Sequence, residues 1–498
     1  MKWSIALALT LGCATAPRPV AEKAPEKADE RTASIPLEAV KVWQRTTPPA
    51  ALAAITRSRP EVFTRTLKNG LKVVVVEDHR ARLVQTRLFF PSGSAGDPED
   101  QEGATWFALS LLGDTFDQKD EEGQPVREAE RSARYMAMMS GASLRFEVAA
   151  DSSWIGLDGF SVDINLLLKR LDTVVSDRRH GADAFEGRAQ GVADTLNELE
   201  LTDGTVLEQY LGQLAFGAEH PYARPVYGTP SSISRLGLEE VTHRQNQLLT
   251  PVGATLLVAG AVRSEDIFSR VQRAFGDWKG GAPDRVSIRP PVATKRRSVV
   301  FLPRKPSRNT LVCLARPLSD AMGSNATVSL AIASVGRRMS GVLREKLGLT
   351  YALSASLVRR RVARALLICS RVRATETTDA TRIMLEELSS FAGNPPTTDE
   401  LLATRAMAIT EAQTRQDDLS GIVAAWQEAA VMKWPAPPEI EVAELEAVTL
   451  ADVGAVAKAL ATTDSVQVIF SGEKGLVEAA ARANNLGALK VPTLGKVE

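Results

Sequence analysis

Histidine and cysteine are scarce in this chain, with four and three residues respectively among 498. His79, His180, His220 and His243 are never three or four apart, so no two of them share one helical face as metal ligands, and neither His-Glu-x-x-His nor Cys-x-x-Cys spacing occurs. Cys13, Cys313 and Cys369 cannot by themselves complete a structural zinc site. Net charge is also missing: 60 Lys and Arg balance 60 Asp and Glu, which leaves no bulk field to attract nucleic acid or anionic lipid. No Gly-x-Ser-x-Gly elbow is present, since Ser92-Gly93-Ser94-Ala95-Gly96 lacks the first glycine. Gly472-Glu473-Lys474-Gly475 does not make a phosphate-binding loop either. What is present is a globular composition, 44% hydrophobic and 24% charged, in a chain long enough for two or more sizeable cores.

The N-terminal apolar run, Trp3 to Leu11, has about nine residues against the roughly 20 that cross a bilayer, so it reads as an export signal. Its end at Leu11-Gly12-Cys13 resembles a bacterial lipoprotein signal, in which Cys13 is acylated and becomes the N-terminus. The alternative is an ordinary signal cut after Ala14 or Ala16. From Ala14 the chain is rich in Ala, Pro, Lys and Glu and too poor in apolar residues to pack, which fits a tether between a membrane and a folded body.

Beyond the tether the chain repeats itself once. Val73-Val74-Val75-Val76, a basic loop and Leu83 to Phe90 read as two strands, and so do Val299-Val300-Phe301-Leu302, a basic loop and Thr310 to Leu314. Each copy closes on a helix and a strand: Leu236 to Val241 opens a helix that leads to Thr255 to Ala259 and Gly260, and Val448 to Val453 leads to Val466 to Phe470 and Gly472. Cys313 and Cys369 lie in apolar, β-branched stretches and are expected as buried thiols in neighbouring strands rather than as a disulfide, although export would permit one. Lys279 to Arg297, with its glycines, prolines and the basic cluster Lys295-Arg296-Arg297, suits an exposed linker.

Several stretches, in order, resemble the insulinase/pitrilysin-type zinc metallopeptidases, which include the processing-peptidase subunits. Thr66 to Val75 is similar to their opening strand, and Pro91 to Pro98 with Gly103 is similar to the glycine turn before their metal helix. Phe216-Gly217-Ala218-Glu219-His220-Pro221-Tyr222 with Gly228 matches a second segment. Leu343-Arg344-Glu345-Lys346-Leu347-Gly348-Leu349-Thr350-Tyr351 is close to the signature of their second domain. The resemblance implies an α+β fold of two homologous domains, each a mostly antiparallel mixed sheet packed by helices, in the LuxS/processing-peptidase-like half-clamshell. The expected organisation is signal 1–13, tether 14–58, first domain 59–280, linker 281–297, second domain 298–480 and tail 481–498. Asp117 to Glu130 reads as an insertion after the metal helix.

Members of that family that cleave peptides carry His-x-x-Glu-His on one helix and a glutamate ligand on a later one. Here the matching helix offers Trp106, Leu109 and Ser110, and the later helix sets Thr195 at the third-ligand position, or Glu198 if the register slips by three. An indole and an aliphatic side chain neither bind zinc nor move a proton. The expectation is a noncatalytic member without metal or cofactor. The resemblance also implies that Arg344 and Tyr351 reach the peptide chamber from the second domain; the other reading is that they cap and pack the turn at Gly348. Peptide docking by strand addition would fall on Ser143 to Ala149, an edge strand by its alternation, but the family's Asn-Ala-x-Thr pattern is missing there. The resulting expectation is a zinc-less partner of a zinc-bearing homologous subunit in a two-chain peptide-degrading clamshell, lipid-anchored at the cell envelope and facing the periplasm from the outer membrane. The alternative is a self-sufficient scaffold or peptide-binding protein at the envelope.

Overall fold

The structure is a computed structural model that describes residues 60–113, 133–176, 178, 180, 182–198, 203–282, 287–291, 297–303, 307–432 and 438–491. The signal, Cys13, the tether, the loop Asp117 to Glu130 and Lys295-Arg296 lie outside the described residues.

Val73 to Val76 are all buried, so this strand must be covered on both faces, and that requirement organises the molecule. Six strands form the first sheet: β1 (Glu61–Thr66), β2 (Lys72–Glu77), β3 (Leu83–Phe90), β4 (Ser143–Val148), β5 (Ser153–Phe160) and β6 (Thr255–Gly260), in spatial order β1-β2-β6-β3-β5-β4. The second sheet comprises β7 (Ser298–Pro303), β8 (Asn309–Leu318), β9 (Thr350–Arg360), β10 (Ala363–Arg373), β11 (Gln467–Gly472) and β12 (Leu489–Lys490), in order β12-β7-β11-β8-β10-β9. Five strands correspond one to one: β2 is parallel to β6 as β7 is to β11, and every other pairing among them is antiparallel. The repeat read from the two valine-rich strands is thus a repeat of topology. Only the outer neighbour differs, β1 in one copy and the short β12 in the other. Residues placed in a tail from 481 onward contribute to the second lobe, since Leu486 is buried in its core and Leu489 and Lys490 pair with β7.

Helices connect and cover the strands. Those of the first lobe are α1 (Ala104–Ser110), α2 (Ala133–Met139), α3 (Ile164–Ser176), α4 (Ala182–Glu198), α5 (Asp203–Phe216), α6 (Pro230–Arg235), α7 (Leu238–Leu248) and α8 (Ser264–Phe275). Those of the second are α9 (Asn325–Ser340), α10 (Thr377–Ser390), α11 (Thr398–Thr414), α12 (Leu419–Met432), α13 (Pro438–Ala447), α14 (Leu450–Leu460) and α15 (Lys474–Ala483). Period-two alternation sends Val73, Val75, Leu88, Leu256 and Val258 to one face, where they pack with Leu167, Leu171, Ile267 and Val271 of α3 and α8. Val74, Val76, Phe89, Leu257 and Ala259 point the other way, and Ile422 and Val423 of α12 cover them.

The second sheet repeats this arrangement. Val312, Leu314, Leu366 and Ile368 pack on α9 and α10, while Leu311, Cys313, Leu367 and Cys369 meet Tyr210, Leu214 and Phe216 of α5. Each lobe therefore lends one helix to the open face of the other: α5 covers the second sheet and α12 covers the first. Residues from Pro60 onward accordingly form one contact unit.

The cysteines correct the sequence reading. Cys313 and Cys369 do lie in neighbouring strands, yet they form a disulfide with S–S 2.09 Å and Cα–Cα 4.1 Å. The cause is register: they are direct partners across β8 and β10 and point to the same face. Strand assignment alone does not reveal register, and a shift of one residue would have sent one of them to the opposite face.

Candidate functional site

The helix that matters most, α1, is fixed at its start by two glycines that pass backbone to backbone. Gly103 caps α1 with φ +88°, and a Cβ there would stand 2.6 Å from the Gly228 nitrogen. Gly228 has φ +73°, and its Cβ would stand 2.3 Å from the Glu102 carbonyl oxygen. Both residues occupy the left-handed region that L side chains avoid, which explains why glycine stands at these two motif positions. Ser232 Oγ then donates to the Glu102 carbonyl at 2.7 Å and ties α6 to the same turn.

Beneath this turn lies a buried ion pair. Asp97 accepts from the backbone N–H of Gly103 and of Thr105, both at 3.0 Å, and from the Thr105 hydroxyl, so it serves the otherwise unpaired donors of the first turn of α1. Arg244 of α7 donates through Nε to Thr105 Oγ1 at 2.8 Å, through Nη2 to Ser92 Oγ at 3.0 Å, and lies 3.6 Å from Asp97. Gln245 beside it donates to the Ala108 carbonyl at 2.8 Å. Burial pushes the Asp97 carboxyl up to about 6, outweighing the pull of Arg244 and of the hydrogen bonds. A folded-state value raised above the ordinary carboxylate value near 4 favours the native state at low pH. That contribution is complete below about pH 4 and is lost as pH rises through about 6. In melting curves taken from pH 4.5 to 7.5, the wild-type protein should lose stability relative to Asp97→Asn as pH rises. Parallel profiles would show that Asp97 does not titrate in this range.

At the positions where the resemblance sets a zinc site, the side chains have become packing. Leu109 is wholly buried and joins the core of the first sheet with Leu112, Leu88 and Phe90. Phe107, Ala108 and Leu111 pack with Phe185, Ala189 and Val192 of α4, and the Phe107 and Phe185 rings meet edge to face at 5.5 Å. Ser110 Oγ donates to the Phe107 carbonyl at 2.7 Å, and Thr195 Oγ1 donates to the Gly191 carbonyl at 2.8 Å. Both hydroxyls are thus engaged by their own helices. Trp106 is half-buried, with Tyr227 edge-on at 5.4 Å and Phe146 at 6.2 Å. Glu198 is exposed at the end of α4. Among the described residues, no three His, Cys, Asp or Glu side chains gather where a metal ion could be held.

Phe146 belongs to β4, the edge of the first sheet, which among the described residues pairs on one side only, with β5. The alternation of Ser143 to Val148 has this structure as its outcome: Leu144 and Val148 are buried, Arg145 and Glu147 exposed. The partnership of Trp106 with Phe146 and Tyr227 was not readable from the sequence. The one available signal was that Tyr227 directly precedes the motif glycine Gly228.

Arg344 and Tyr351 come together in the second lobe. A π-helical turn, Gly341–Lys346, continues α9, Gly348 turns the chain with φ +62°, and β9 begins at Thr350. Such turns often mark functional sites. The Arg344 guanidinium lies 5.5 Å from the centre of the Tyr351 ring, and Tyr351 is 86% exposed. The Gly348 N–H donates to the Arg344 carbonyl at 3.2 Å, so the arginine backbone closes the turn while both side chains face outward. β9 is the outer edge of its sheet, as β4 is of the other.

The His-Pro-Tyr segment is a joint between the lobes. His220 Nδ1 accepts from the Tyr222 N–H at 3.1 Å and its Nε2 bonds the Arg289 carbonyl at 2.9 Å. The Tyr222 hydroxyl donates to Asp151 at 2.8 Å and accepts from the Val362 N–H at 3.3 Å, while Asp151 also accepts from the Arg361 N–H at 2.8 Å. Burial, reinforced by Asp151, holds the Tyr222 phenol well above its ordinary range. His243 lies on α7, beside Gln247, and His180 bonds Gln245; neither is near another histidine in a metal-binding group.

Residues 235–407 match the family model described as the peptidase M16 inactive domain. No curated protein matched the chain. Among solved structures, a peptidase M16 inactive domain from Pseudomonas fluorescens superposes with TM-score 0.72 at 20% identity, over 83% of this chain and 98% of that one. The first half of the periplasmic protease PqqL from Escherichia coli gives TM-score 0.69 at 12% identity, over 88% of this chain and 99% of that one. The whole of PqqL matches 89% of this chain, but only 52% of PqqL is covered. A chain of complex III2 from Candida albicans gives TM-score 0.68 at 14% identity, over 86% and 99%. The resemblance to insulinase-type peptidases and the half-clamshell fold are both borne out.

Proposed function

We propose that this chain, a relative of the M16 peptidases that carries their inactive domain at residues 235–407, is a noncatalytic peptide-handling subunit that works with a zinc-bearing homologue. The observation that carries this reading is the chemistry around α1. Leu109 is sealed in the core, Ser110 and Thr195 are hydrogen-bonded within their own helices, and Trp106 turns the remaining space into an aromatic surface beside the edge strand β4. Such a surface can hold an apolar peptide side chain but offers no lone pairs to a divalent ion. Arg344 and Tyr351, by contrast, stay exposed and stacked, with guanidinium and phenol donors free to meet a peptide carbonyl.

Pairing is supported by size. The whole PqqL chain holds about twice the length that this chain matches, so a second chain would supply the other half of an enclosed chamber. In the pair, the zinc-bearing subunit would cleave, and this subunit would present Arg344 and Tyr351 from the opposite wall. An exported, lipid-anchored location fits the Cys13 signal and the Cys313–Cys369 disulfide, a bond that persists in oxidising compartments.

The test is co-purification from the native source, followed by peptide cleavage with each chain alone and with both together. The purified chain should contain no zinc and cut no fluorogenic peptide, whereas the pair should cut. In the pair, Tyr351→Phe should lower kcat by about a hundredfold, the scale of losing one donor to a developing oxyanion. Cleavage by this chain alone ends the proposal. A chain that co-purifies with no zinc-bearing homologue would favour the scaffold reading.

A further inference from the structure

We propose that the arginine-rich tip of the hairpin β9–β10 is a binding site for a phosphate-class oxyanion. The sequence Arg359-Arg360-Arg361-Val362-Ala363-Arg364 turns back on itself there and, with Asp320 and Asn325, lines a cavity of about 140 Å³. Four arginine residues contribute to its lining. Among the described residues three carboxylates face these four arginines: Arg359 pairs with Glu428 of α12, Arg361 lies 3.8 Å from Asp151, and Arg364 lies 3.5 Å from Asp320. Asp151 is already shared with the Tyr222 hydroxyl and the Arg361 N–H. Arg360 donates through Nη1 to the Arg359 carbonyl at 2.9 Å, and its Nε is buried without a hydrogen-bond partner.

Arg364 gives the cavity its rigid wall. Only 5% exposed, it donates to the Gly323 carbonyl at 2.8 Å, the Asn325 side chain at 3.2 Å and the Ser319 carbonyl at 2.7 Å, while its Nε stands 3.5 Å from Asp320 Oδ1. Asn325 is the first residue of α9, a helix of 16 residues capped by Ser324, so the positive end of its dipole faces the same space. Burial also holds the Arg360 and Arg364 guanidiniums below their ordinary range, against the opposing pull of Asp151 on the first and of Asp320 on the second. A lining rich in arginine together with a helix N-terminus suits a tetrahedral oxyanion with three or four acceptor oxygens. A single carboxylate offers two oxygens and would leave donors unmet.

The site adjoins the joint in which Asp151 and Tyr222 of the first lobe hold the Arg361 and Val362 backbone. An oxyanion that neutralises the arginines would therefore brace the contact between lobes. Its source is either free phosphate or the phosphate of an acidic lipid headgroup.

Inorganic phosphate binding to the full chain should be measured by calorimetry and by melting temperature, against sodium chloride of equal ionic strength. Wild-type protein should bind phosphate and melt higher in it than in chloride. Arg360→Gln should weaken phosphate binding by at least about tenfold, the scale of one charge-assisted contact. Arg382→Gln, on the exposed face of α10, should leave binding unchanged. Each variant is compared with its own melting point in chloride, so a loss of stability does not mask the phosphate effect. Sedimentation with phosphatidylcholine vesicles, with and without phosphatidylglycerol, separates the sources: binding that phosphate competes away and Arg360→Gln abolishes assigns the headgroup, and its absence assigns the free anion. Equal melting in phosphate and chloride, or phosphate binding that survives Arg360→Gln, overturns the proposal.

Discussion

Leu109→Glu, the change that would restore the base of an inverted zinc motif, should destabilise the protein by about 4 kcal/mol or more and bring in no zinc. Leu109 has no exposed surface and packs among Leu88, Phe90 and Leu112. Removing a buried leucine costs about 2–5 kcal/mol. The incoming carboxyl finds no donor in this cluster and must be buried unsatisfied, which adds a further cost of roughly 1–3 kcal/mol. In urea unfolding the midpoint should fall sharply, and elemental analysis of the soluble fraction should find no stoichiometric zinc. A variant with the wild-type midpoint would mean that the new side chain reaches solvent through a surviving cavity, and the view of α1 as converted to packing would have to be given up. Trp106→His should be much milder, because Trp106 is only half-buried and its neighbours are two aromatic rings.

Loss of the Cys313–Cys369 bond should have an effect of similar size. The bond closes a loop with a sequence separation of 56, for which the chain-entropy model gives about 4 kcal/mol. Both cysteines are buried between the second sheet and α5, so reductant should act slowly on the native protein and rapidly once it opens. Melting after reduction under denaturing conditions and refolding should fall by roughly 10 °C if the second lobe unfolds as a unit. Peptide mapping with a thiol label should leave both cysteines unmodified before reduction and mark both afterwards. Labelling of either one in the unreduced protein would remove the bond from the account.

Much of this was visible in the sequence, and the rest was hidden for definable reasons. The paired strand patterns at Val73 to Phe90 and Val299 to Leu314 revealed the repeat because period-two burial is a local signal. The edge position of Ser143 to Val148 followed from the same alternation. Positions of the replaced site residues Trp106, Leu109, Ser110 and Thr195 could be named, but not what surrounds them. The contacts of Trp106 with Phe146 and Tyr227 join residues 40 and 121 positions away in the chain, a separation that no local pattern encodes. The disulfide was misjudged because it depends on strand register. Asp97 and Arg244 escaped notice for a related reason: each reads alone as an ordinary surface charge, and only the fold buries them together.

The crosswise loan of α5 and α12 has a consequence for how the molecule can be divided. Expressed separately, each lobe would leave a bare apolar sheet, Leu311, Leu367 and Ile469 in one and Val74, Phe89 and Leu257 in the other. Neither fragment should be soluble alone, yet the two mixed together should reassociate, as each holds the lid that the other lacks. The same interlock resists jaw-like movement of one lobe against the other, because such a swing would strip α5 from the second sheet and α12 from the first.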